Sequence, residues 1–125
     1  MTSKKNASIT KPIAMEHEYV SNSFQLQFNK SVNKISGVIS FYSGLIKLHH
    51  FFEGLIINNE LNSSFCFTVE WTDQETKTSI ITAFSGSLSK DLMILKWFNC
   101  CDQKLHFNLF PEANLEILSR TNHRM

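Results

Sequence analysis

Between Phe65 and Phe98, apolar and polar side chains alternate through three successive runs, FCFTVEW, TSIITAFSGS and LMILKWF. Phe65, Phe67, Val69 and Trp71 fall on one side of the first run, Thr78, Ile80, Thr82 and Phe84 on one side of the second, and Met93, Leu95 and Trp97 on one side of the third. A period of two with β-branched and aromatic residues predicts half-buried strands. The polar gaps at 73–77 and 87–91 are short, which predicts hairpin loops in an antiparallel meander. Each strand thus carries a large inward aromatic, Trp71, Phe84 and Trp97, that serves either a packed core or a ligand box.

The pattern continues on both sides. Residues 16–20 alternate weakly, and 23–28 place Phe24, Leu26 and Phe28 on one face. A turn is predicted at 29–34, then a strand over 35–41 whose Gly37 points to a bend or a close backbone approach. Residues 42–48 fit a loop, 49–57 a further strand and 58–64 (NNELNSS) another turn. Downstream, 104–110 alternates again until Pro111, and 112–125 fits a short helix or an extra strand. Residues 1–15 are polar and aperiodic and are expected to form a flexible tail. Seven or eight short strands with no helical period predict an all-β domain, either a sandwich or an up-and-down barrel.

Composition narrows the function classes. The chain has 125 residues, enough for one core without metals or disulfides. Its net charge of +1 offers no electrostatic footprint for nucleic acid or an acidic membrane, so neither is expected as a partner. No apolar run approaches the ~20 residues needed to cross a bilayer as a helix. The N-terminal stretch lacks the apolar region of a signal peptide, so a cytoplasmic location is expected unless an export segment has been removed. Three cysteines, Cys66, Cys100 and Cys101, do not suggest a disulfide framework. The vicinal pair lacks a second Cys/His pair at zinc-finger spacing, so no metal site is expected. His49 and His50 are neighbours in a strand and should face opposite ways; Glu70 and Cys66 should face away from the aromatics. With no nucleophile elbow, phosphate loop or His/Glu metal motif, the chain is expected not to be an enzyme and to need no cofactor.

The central stretch resembles the avidin/streptavidin family, in which a strand of the form F/W-T-V-x-W is followed by T-x-F/W-x-G and then by a strand ending in W-L-L. Here the corresponding segments read FCFTVEW, TAFSGS and LMILKWF. More loosely, SGVISFYSG is similar to the family's T-G-T-Y strand, FEGLI to its L-x-G strand and HFNLF to its G-x-N/D-x-F strand. The resemblance implies an eight-stranded antiparallel up-and-down barrel over 16–118, with a C-terminal tail at 119–125. It also implies biotin bound without covalent linkage in the open end, within a homodimer or homotetramer. Trp71, Phe84 and Trp97 would be the walls around the ligand, and Thr82 the hydroxyl facing its ring sulfur. Asn108 would meet a ureido nitrogen, and Asn22 or Ser23 the ureido oxygen. The family's Tyr and following Ser or Thr at that oxygen fall on Ile39 and Phe41, and a further hydroxyl falls on Ile80. Each buried donor so lost costs about 1–3 kcal/mol, so a weakened affinity for biotin is the expectation. The alternative is an avidin-type barrel that has lost biotin and holds another hydrophobic ligand, or a structural oligomer whose aromatics fill the barrel.

Overall fold

The computed structural model of the protein describes residues 15–101 and 114–121. Eight strands run β1 His17–Val20, β2 Gln25–Lys30, β3 Lys34–Ser43, β4 Ile46–Asn58, β5 Ser63–Thr72, β6 Ser79–Leu88, β7 Leu92–Cys101 and β8 Asn114–Arg120. Each pairs antiparallel with the next, and β8 pairs back onto β1 to close the barrel. This is the all-β, eight-stranded antiparallel up-and-down barrel expected from the alternation and the resemblance; it is not a sandwich.

The alternating pattern is realised as an inside and an outside. On β5, Phe65, Phe67 and Val69 are buried while Cys66, Thr68 and Glu70 are exposed. Leu26, Phe28, Ile35, Ile39, Met93, Leu95 and Leu118 have no exposure at all. An eight-stranded barrel is just wide enough for side chains to fill, and here three ring planes stack across it. Phe67 lies 3.9 Å from Phe52 and 5.0 Å from Phe84, centroid to centroid, both nearly parallel. Gly37 is a site of close backbone approach, as its place in a strand suggested: a Cβ there would lie 2.0 Å from the carbonyl oxygen of Gln27.

Two expectations are corrected and one open choice is settled. Residues 42–48 are not a loop: β3 and β4 continue through them to a tight turn at Gly44–Leu45. Gly44 at a φ of 63° supplies the left-handed conformation that so short a connection needs, and the hairpin's own ladder then outweighs the weak local pattern. In the described part of 112–125 the choice between helix and strand goes to a strand, since β8 supplies the missing partner for both β1 and β7. That strand runs to Arg120, into the stretch expected to be tail. The expected strand at 104–110, the N-terminal tail through residue 14 and the side chains of Cys100 and Cys101 lie outside the described residues.

Candidate functional site

One end of the barrel carries the β1–β2, β3–β4 and β5–β6 turns, and there the interior stays open. The cavity measures about 320 Å3, at the lower end of the ~300–1,000 Å3 usual for small-molecule pockets. Its walls are Trp71 at the end of β5 and Trp97 on β7; its floor is Phe24, Phe41 and Phe84. These rings interlock edge to face: Phe24 stands 4.6 Å from Trp97 and Phe41 stands 5.2 Å from Trp71. The floor is buried while the tryptophans are partly exposed, so the box is a cap on the filled core with its aromatic sides turned to the mouth.

The polar groups are few and placed to one side. Thr82 Oγ1 accepts a hydrogen bond from Trp71 Nε1–H at 2.8 Å and donates to Asn99 Oδ1 at 2.6 Å. Thr82 and Asn99 are register partners on β6 and β7, which accounts for the short contact. This chain holds the Trp71 indole in place and leaves the Asn99 amide N–H2 group for the mouth. Asn22 and Ser23, exposed in the β1–β2 turn, complete the lining with Tyr42. Ser21 Oγ caps that turn by accepting from the backbone N–H groups of Ser23 and Phe24, and it donates to Glu116 on β8. Nearby, Ser43 Oγ donates to Asp73 Oδ1 at 3.0 Å and ties the β3–β4 hairpin to the β5–β6 turn. Hydrogen bonds from Thr76, side chain and backbone, and then from Ser43, hold the Asp73 carboxyl below its usual range.

No charged side chain lines the cavity among the described residues. His50 faces inward and stacks on Phe41 at 5.9 Å, behind the wall. Burial, and then the neighbouring His49, hold its pKa below the usual imidazole range. The site therefore suits an uncharged, flat, largely apolar ligand group with a small number of hydrogen-bonding atoms.

Of the residues singled out in the sequence, Trp71, Phe84, Trp97, Thr82, Asn22, Ser23 and Phe41 converge on this cavity. Ile39 does not line it; it is fully buried in the core one inward position deeper on β3 than Phe41. Asn108 lies outside the described residues. Phe24, Tyr42 and Asn99 complete the lining and had not been singled out. Two carried a readable signal: Phe24 adjoins Ser23 on the inward parity of β2, and Asn99 lies two residues beyond Trp97 on the same face. Glu116 and its Ser21 contact carried none, because they meet only when β8 closes on β1.

Fold and site together define a class: a closed antiparallel barrel with an aromatic, uncharged, ligand-sized mouth. Comparison of the chain with protein-family models, with curated proteins and with solved structures finds no match.

Proposed function

We propose that the protein is a non-enzymatic small-molecule binder of the avidin/streptavidin type, taking biotin non-covalently in the open end of its barrel with weakened affinity. What supports this reading is the convergence of Trp71, Phe84, Trp97, Thr82, Asn22 and Ser23, matched through the resemblance, on one open cavity. The ligand's apolar ring and chain would lie against the tryptophans with its sulfur toward Thr82, and its ureido head would approach Asn99 and the β1–β2 turn. The test is thermal unfolding with added biotin. Ligand at about a thousandfold its dissociation constant adds ~4 kcal/mol to stability, which gives a rise of many degrees in Tm. An unchanged Tm at millimolar biotin rejects the proposal.

One observation favours a second reading, a barrel of this type that holds a different hydrophobic ligand. The Thr82 hydroxyl is already engaged as donor and as acceptor, and the floor below it is wholly phenylalanine. A flat apolar molecule would then raise the Tm where biotin does not.

The assembly we propose is a homodimer or homotetramer. Its support is the outer face of β7 and β8, where Ile94 lies directly opposite Ile117, flanked by exposed Leu115 and Phe98. Side chains of this kind on an outer barrel face form a patch that association would cover. Replacing Ile94 and Ile117 together by lysine is expected to leave a monomer in sedimentation analysis. A parent protein that is itself monomeric at micromolar concentration overturns the assembly.

A further inference from the structure

At the opposite end of the barrel a second cavity of about 210 Å3 lies between the start of β1, the ends of β2 and β8, and the β4–β5 and β6–β7 turns. Its lining carries Lys30, Lys90 and Arg120 against one carboxylate, Glu60. None of the three cations forms an ion pair among the described residues. Arg120 Nη1 donates to the carbonyl oxygen of Lys90, at 3.4 Å, which draws the guanidinium over the β6–β7 turn. That turn is fixed from within, because the buried Tyr19 hydroxyl donates to the carbonyl oxygen of Ser89 at 2.9 Å. His17 lies in the same lining, stacked on Phe28 at 5.2 Å. Its Nδ1 is buried and has no hydrogen-bond partner.

We propose that this cavity is a second binding site, distinct from the aromatic mouth, that takes a phosphate or sulfate group. Arg and Lys clusters are the usual recognition elements for such groups, and three cations against one carboxylate favour a dianion over a single carboxylate. The cavity is of a size to enclose the oxyanion and leave any attached organic group outside. His17, in the same lining, lies close enough for the charge of a bound dianion to act on its ring.

His17 also provides the readout. Its pKa is lowered first by burial, then by Arg120 and Lys30, with Glu16 opposing. The other charged groups around the cavity are Lys90, Glu60 and, beside Tyr19, Asp91. A dianion seated among the cations reverses the local field and favours the protonated ring, so binding takes up a proton and strengthens as the pH falls.

The experiment is an NMR titration of the His17 ring in the full chain, with inorganic phosphate, sulfate and phosphoserine compared against chloride at equal ionic strength. The His17 midpoint is expected to rise by about one unit or more with the dianions. A stronger effect of phosphoserine than of inorganic phosphate assigns the site to an esterified group; the reverse assigns it to the free ion. The rise should vanish in the double variant Lys30→Gln, Arg120→Gln, whose side chains lie outside the core, and persist in Trp97→Ala, which alters only the other end. A midpoint equal in phosphate and chloride overturns the proposal, as does a rise that survives in the double variant.

Discussion

Truncating Phe67 to alanine is expected to cost about 3–5 kcal/mol of folding free energy, the range found when a buried aromatic is deleted and the cavity only partly collapses. Phe67 is 4% exposed and sits between Phe52 and Phe84 in the stacked layer that crosses the barrel, with Phe65 a further 6.0 Å away. Its removal takes away ring contacts on both faces, each worth about 0.5–1.5 kcal/mol beyond the area buried. Against a total of roughly 5–15 kcal/mol, such a loss is a large share of the margin. The contrasting variant is Phe51→Ala on β4. That side chain is the same size but 85% exposed on the outer wall, and its loss should stay within about 0.5 kcal/mol. Urea unfolding of both variants is the check. Equal midpoints would mean that Phe67 is no more a core residue than Phe51, and a reversed order that the inside and outside of the barrel have been exchanged.

On the proposed function, Trp97→Ala should act in the opposite sense, lightly on the fold and heavily on biotin. The indole is partly exposed and forms one wall of the mouth, packed edge to face on Phe24. Loss of such an aromatic anchor typically costs at least about 2 kcal/mol of binding, or roughly thirtyfold in Kd. The stability cost should be smaller than for Phe67, because the Trp97 ring is only partly buried, at the rim of the core. Calorimetric titration with biotin and urea unfolding, carried out on the same variant, separate the two effects. A variant that loses stability like Phe67→Ala while its biotin affinity is unchanged would make Trp97 part of the core and not a ligand wall.

The barrel was legible wherever a strand has one face in the core, because alternation then appears directly in the residue types. Residues 65–98 show this most clearly: Phe65, Phe67, Val69, Phe84, Met93 and Leu95 are all buried on the predicted side. The floor and walls of the site were legible for the same reason, being simply the outermost inward positions of those strands. What escaped was decided by geometry that alternation does not encode. The β3–β4 turn depends on one glycine's backbone conformation, and Tyr42 reaches the mouth only because that turn is so short. The Ser21–Glu116 contact joins residues at opposite ends of the chain. Similarly, the identity of the closing strand was ambiguous, because Asn114–Arg120 is short and four of its seven residues are polar. It was completion of the sheet, not local preference, that made it a strand.

Closure of the barrel by β1 and β8 has a consequence for how the protein is made. During synthesis β1 emerges first and finds β2 at once, but its other neighbour is the last strand to appear. Until β8 arrives, β1 and β7 both present unpaired backbone edges, the condition under which nascent β proteins pair with the wrong chain. The exposed early edge is only His17–Val20, four residues long, and it carries Glu18 at its centre. A short edge with a charge on it is a poor template for another strand. The brevity of β1, which leaves the finished seam with only the pairs Tyr19–Arg120 and Val20–Ser119 among the described residues, thus guards the unfinished barrel.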